Sequence, residues 1–210
     1  MTANGQKTTR SDPKILPGTV IYDVDLTMTL GAAQRVVLLM QVRDTRRFES
    51  YVDLATVEAL YGQNTNPLTF IVAQEGVRAL ATSLPKIMQE SLSHSARRDA
   101  LCGAWLCGSC LGTVSMSLHH KLCRPLVGSL DLSHAETHTV VLPHVLSYVA
   151  LNIPQAMGRL AQVLPDSKGD AIRGLNVFLT KLEVRRSLRE LGMKREDIGR
   201  AAEIAMTKAY

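Results

Sequence analysis

Aromatic residues are scarce in this chain, 4% of 210 residues with a single Trp. That excludes the stacking platforms on which single-stranded nucleic acids are held. Neither GxGxxG nor GxxxxGK followed by Ser or Thr occurs, so neither common phosphate cradle is encoded. The first residues, MTANGQKTTRSDP, are polar and lack the apolar stretch of a secretory signal. Cysteines are few: Cys102, Cys107, Cys110 and Cys123. Without a secretory signal they are expected as reduced thiols in a cytoplasmic protein. Net charge is a mild +5. The basic groups at Arg43/Arg46/Arg47, Arg97/Arg98 and Lys181–Arg195 are interleaved with acids and read as solvated helix faces, with no nucleic-acid partner.

Charge of either sign is missing between Asp99 and Lys121. A run of that length raises the question of a membrane span. It also holds Gly103, Gly108, Gly112 and several Ser and Thr, and it ends in two histidines. Small residues let helices approach closely, so a buried central helix of a bundle is expected there, with no membrane partner.

The length suits one large domain with a sizeable core. Residues 1–12 read as a disordered tail. Within 13–30, the β-branched run Thr19–Ile21 between Pro17-Gly18 and Asp23 reads as one short strand. Residues 31–210 read as an all-helical domain. GAAQRVVLLMQV is compatible with helix, but the composition changes abruptly at DTRRFESYVDLAT. From Val57 the pattern is clean. A helix ends at Tyr61 before the loop 62–67. Phe70, Val77, Leu80, Ala81 and Leu84 predict an amphipathic helix over 68–90. Further helices are expected at 154–163, with Pro near the start, at 170–183, at SLRELG between Ser187 and Gly192, and from Arg195 onward. The fold class is mainly α, a helical bundle of about seven helices with a short N-terminal strand.

Five of the six histidines fall between Met116 and Tyr148: His119, His120, His134, His138 and His144. His120 and His134 are too far apart for one helix face. A helix–loop–helix corner would bring them together, with Pro125, Gly128 and Ser133 as turn residues. His134 and His138 share one face of a helix starting near Ser133. Imidazoles suit zinc or iron, and Asp131 and Glu136 are the local carboxylates. The bland alternative is buried histidines hydrogen-bonded in a core, which His119 and His144 fit better. The cysteine spacing matches a plant-type iron–sulfur pattern on paper. On a helix those thiols cannot converge, so small buried hydrophobes are expected instead. A Cys123–His nucleophile pair has no supporting signature.

The segments TVIYDVDLT, VEALYGQNTNP, EGVRAL, RDALCGAWLCGSCLGTVSMSLHHKLC, LSHAETHTVVLPHVLSY and SLRELGM resemble maleylacetate reductases. These belong to the group III iron-containing alcohol dehydrogenases, which share their fold with dehydroquinate synthase. The resemblance covers about 13–30 and 57–206. It implies a C-terminal helical domain, NADH or NADPH as hydride source, a dicarboxylate substrate, and a homodimer. The implied reaction reduces 2-maleylacetate to 3-oxoadipate in aromatic-compound catabolism. His120 and His134 fall on two of four family metal-ligand positions, for iron or zinc. Tyr51 and Ala55 stand at the other two, and Arg124 replaces a family histidine. His119, Lys121 and Arg124 are the candidates for substrate carboxylate contact. Reductases of this branch often do not depend on a metal. On the same resemblance the chain begins near the last strand of the nucleotide-binding domain, and 31–57 departs from the family helix. A truncated or mis-spliced gene is the expected cause, with a catalytically silent interaction or dimerisation domain as the alternative reading.

Overall fold

A computed structural model describes residues 20–28, 56–111, 113–115 and 117–207, together with the backbone of 2–3 and 6–7. Among these residues the α-helices are α1 (Thr56–Ala59), α2 (Pro67–Gln89), α3 (His94–Leu111), α4 (Leu118–Ser129), α5 (His134–Val149), α6 (Pro154–Val163), α7 (Ala171–Lys181) and α8 (Asp197–Thr207). The mainly helical class is as expected. The strand expected at Thr19–Ile21 is not formed at Val20 or Ile21. They run as irregular backbone into a 3-10 turn at Asp25–Thr27, because a strand needs a neighbour to take its backbone groups. Within the expected disordered tail, Thr2–Ala3 and Gln6–Lys7 pair as a two-residue antiparallel ladder, β1 with β2. The helix considered at GAAQRVVLLMQV lies outside the described residues.

Helix ends follow local chemistry. Asn66 caps α2 by accepting from the Thr69 N–H at 2.9 Å, with Pro67 in the first turn. Asp170 caps α7 through the N–H groups of Ile172 and Arg173. Ser187 and Gly192 bound their segment as expected, although Leu188–Leu191 is 3-10 rather than α. Gly192 takes φ +100 there, a left-handed stop that a side chain would resist.

The charge-free run is not one buried helix. It breaks between α3 and α4, and α3 is one-sided. Ala96, Ala100, Ala104, Cys107 and Cys110 face the core, while Cys102 and Ser109 are exposed and Trp105 is 51% exposed. Among the described residues, no helix is long and apolar enough to cross a membrane. The reading of close helix approach does hold. A Cβ on Gly76 of α2 would sit 2.6 Å from Cys107 Sγ, and one on Gly103 of α3 would sit 2.9 Å from Leu80 Cγ. These two glycines set the spacing of α2 and α3.

The larger core joins α1, α2, α3, α6 and α7 through residues such as Leu84, Ile87, Leu160 and Leu179. Leu142 and Leu146 of α5 also enter it. The smaller core packs Cys123 and Leu126 of α4 and Val141 and Val145 of α5 on Ala201 of α8. Arg97, fully buried on α3, ties the 3-10 turn at Asp25–Thr27 to the loop before α3. Its guanidinium donates to the Thr27 carbonyl and hydroxyl and to the Ser91 carbonyl.

The glycine contact is testable by urea unfolding. Gly76→Val is expected to lower stability by about 1–3 kcal/mol, because the Cys107 side of α3 is already in contact. Gly108→Ala, where an added Cβ meets nothing within 4 Å, is expected to raise it by about 0.5–1 kcal/mol.

Candidate functional site

A carboxylate in α1 builds the site. Glu58 is 1% exposed. Burial of an ionised carboxylate is costly unless hydrogen bonds replace its water. Four donors do so. The Ser117 N–H donates at 3.0 Å and the His119 N–H at 2.7 Å, His120 Nδ1 approaches to 2.5 Å, and the Tyr61 hydroxyl lies at 3.4 Å. Two of these donors are N–H groups at the start of α4, which have no partner within their own helix. Ser117 makes no side-chain cap, so Glu58 caps α4 from another helix, with charge of the favourable sign for the helix dipole. The loop after α1 is tied to the same place, since Asn64 Nδ2 donates to Ser115 Oγ at 2.9 Å.

Burial alone would raise the Glu58 pKa. The hydrogen bond from His120, the charges of His120 and His119 and the Ser117 N–H outweigh it and lower the pKa. The carboxylate is therefore ionised and accepts only, so His120 Nδ1 is the donor. Burial, followed by the neighbouring Glu58 charge, pushes the Tyr61 phenol far up, and it stays neutral.

Four imidazoles gather beside Glu58. Ring centroids lie 5.6 Å apart for His119–His120, 4.8 Å for His119–His138, 5.2 Å for His120–His138 and 4.6 Å for His134–His138. His119 is fully buried, and its Nε2–H donates to the His138 carbonyl at 2.9 Å. Burial, then the charge of His120, lowers its pKa to about 4 against the pull of Glu58. His119 is neutral at physiological pH.

The corner that brings α4 and α5 together is not built where expected. Pro125 and Gly128 lie inside α4. The chain turns at Leu130–Ser133, with Asp131 at φ +52, a conformation that Asp tolerates better than most side chains. His144 is not a buried core histidine; it is exposed on α5. Lys121 is half-buried and Arg124 exposed on α4, while His119 is sealed from solvent. Cys102 is exposed on α3, and Cys107 and Cys110 are buried. The iron–sulfur spacing is therefore divided between two faces of one helix. Burial pushes the Cys110 thiol up to about 11.

This helical core, with a histidine corner held by a buried glutamate, defines a class. The family described as Fe-containing alcohol dehydrogenase, C-terminal, matches residues 52–210, and the chain belongs to it. Within that family it is similar to maleylacetate reductases. It is 40% identical over 210 residues to the one from Sphingobium indicum and 43% over 209 residues to the one from Rhizobium sp. strain MTP-10005. Each match covers 100% of this chain and 56% of the relative, so the chain spans about half the length of these curated relatives. The crystal structure of the Rhizobium maleylacetate reductase superposes with a TM-score of 0.84 at 42% identity, covering 100% of this chain and 56% of that one. An iron-containing alcohol dehydrogenase from Corynebacterium glutamicum ATCC 13032 gives a TM-score of 0.87 at 33% identity, covering 99% and 55%. The matches run through residues 1–12 and 31–57 as well, segments in which the sequence alone showed no resemblance.

The family name carries iron, and the donors here can be compared with that requirement. Among the described residues, two groups bring three donor atoms within 4.8 Å of one another: Glu58–His119–His120 and His119–Cys123–His138. His134 is in neither. Tyr51 and Ala55, expected from the resemblance at the other ligand positions, lie outside the described residues. Glu58–His119–His120 pairs a carboxylate with two imidazoles, a donor set that suits iron. Both Glu58 oxygens are already held by the Ser117 and His119 N–H groups and by His120 Nδ1, so the group as arranged is a hydrogen-bonded cluster and not an iron cradle.

Replacing Glu58 by Ala strands two backbone N–H groups and His120. It is expected to cost about 3–5 kcal/mol in urea unfolding, with Gln losing less. The pH dependence has a definite sign. His119 titrates near 4 in the folded chain but at about 6.5 when unfolded. Its contribution is therefore complete above pH ~6.5 and is lost as pH falls toward 4. Glu58, also lowered, adds a loss at still lower pH. Thermal melts of metal-free protein between pH 7 and 4 are expected to show falling stability, with a flatter profile in His119→Asn.

Proposed function

We propose that this chain is the helical, substrate-binding part of an NAD(P)H-dependent reductase that converts 2-maleylacetate to 3-oxoadipate. The observation that carries this reading is identity of about 40% to curated maleylacetate reductases over the entire chain. Reducing the carbon–carbon double bond adds a hydride to one carbon and a proton to the other. Bound NAD(P)H would supply the hydride. The substrate is a dicarboxylate, and Arg124 and Lys121 on α4 offer it cations, Arg124 with the planar fork suited to carboxylate.

The proton is assigned to His120. Its Nδ1–H is held by ionised Glu58 at 2.5 Å. That contact orients the ring, as a carboxylate does for an acid–base imidazole. His120 and His134, the two retained family ligand positions, serve the substrate in this reading rather than a complete iron site. His119, sealed and neutral, acts through its packing. The second reading is a silent domain that only dimerises or binds a partner, and the specific support for it is Ala55 and Tyr51 at the remaining ligand positions.

A chimera discriminates the two. Residues 56–207 would replace the corresponding part of the Rhizobium enzyme, and oxidation of NADH would be followed with 2-maleylacetate. Substrate-dependent oxidation is expected. Arg124→Ala should raise KM about tenfold to a hundredfold, the range for losing a charged hydrogen bond. His120→Asn should lower kcat about a hundredfold. A folded chimera that binds NADH yet leaves maleylacetate untouched would establish the silent domain instead.

A further inference from the structure

We propose that His119, Cys123 and His138 form a buried three-ligand site for one divalent ion of zinc's character, with a water as the fourth ligand, distinct from the His120/His134 pair. His119 and Cys123 are four residues apart on α4 and share a face, and His138 reaches them from α5. Their donor atoms lie within 4.8 Å of one another. Donors around a tetrahedral zinc ion with one sulfur lie about 3.3–3.7 Å apart, from bond lengths near 2.0–2.3 Å. Closing the group therefore needs side-chain adjustments on the order of an ångström. All three residues are buried, at 0%, 0% and 6% exposure.

His119 is already arranged as a ligand. Its Nε2–H is engaged by the His138 carbonyl, so Nδ1 carries the lone pair. That Nδ1 is buried and has no hydrogen-bond partner among the described residues. A buried nitrogen left this way is costly, and a metal ion would satisfy it. Binding through one ring nitrogen while the other donates to a carbonyl is the usual outer-shell arrangement of metal-bound histidine.

One thiolate with two imidazoles favours zinc or its chemical relatives over a hard ion. Burial, followed by the Glu58 charge, pushes the Cys123 thiol well up, so it stays protonated until a metal ion displaces the proton. Binding replaces the Cys123 S–H bond with an S–metal bond and releases that proton to solvent. This site does not depend on the catalytic reading, because it concerns residues that reading leaves as packing.

The full chain, stripped with a chelator and carrying Cys102→Ser to remove the exposed thiol, would be titrated with Co²⁺. The expected result is one equivalent bound, with intense tetrahedral d–d bands and a thiolate-to-cobalt charge-transfer band, both erased by one equivalent of Zn²⁺. Cys123→Ser should abolish the charge-transfer band, and His134→Ala should leave it intact. A weak octahedral spectrum, a band that survives Cys123→Ser, or one lost only in His134→Ala would each overturn the proposal. Should Cys123→Ser fail to fold by circular dichroism, X-ray absorption of the zinc-loaded parent decides. One sulfur near 2.3 Å with nitrogens near 2.0 Å supports the site, and a shell without sulfur refutes it.

Discussion

A buried carboxylate imposes the arrangement on which the histidine corner depends. Glu58 cannot remain ionised in the core without donors, and those it finds are the first N–H groups of α4 and the His120 ring. Each partner is a geometric constraint. The backbone bonds fix where α4 begins, and the His120 bond fixes the ring's orientation. His119, the next residue back, is then turned inward onto the His138 carbonyl of α5. One side chain thus couples a short helix of the larger core to the helix pair of the smaller one.

The two cores explain why that coupling is needed. α2 and α3 pack closely through Gly76 and Gly103 and share one apolar core with α6 and α7. α4, α5 and α8 make a separate apolar cluster. α5 serves both, with Leu142 and Leu146 in one and Val141 and Val145 in the other. Apolar contact along α5 holds the halves together without direction, whereas hydrogen bonds to Glu58 define their register. The chemistry-bearing residues sit at this junction, where helices from both halves can supply side chains to one place.

Local signals in the chain were legible to the extent that local physics produces them. Asn66-Pro67, Ser187 and Gly192 mark helix ends because a cap or a left-handed residue acts within a few positions of itself. Hydrophobic period located α2, and the histidine density located the corner. Other features were not legible. Glu58 reads as an ordinary helix acid, since nothing within its own segment says that it is buried. Gly128 and Pro125 read as turn residues, yet both are accommodated in α4 and Asp131 makes the turn. A charge-free stretch suggested a single buried helix, but Trp105 and Cys102 face outward. His144 looked like a core histidine and is exposed, because α5 buries a different face.

By itself the sequence determined the helical class, most helix boundaries, the concentration of imidazoles and the family resemblance. These depend on period, capping and composition, which a linear reading contains. Only the tertiary structure decided which histidines meet, that Glu58 holds them, and that Cys123 lies beside His119 and His138. Those contacts join residues up to 62 positions apart. They are set by how two cores pack against α5, and no local pattern encodes that packing.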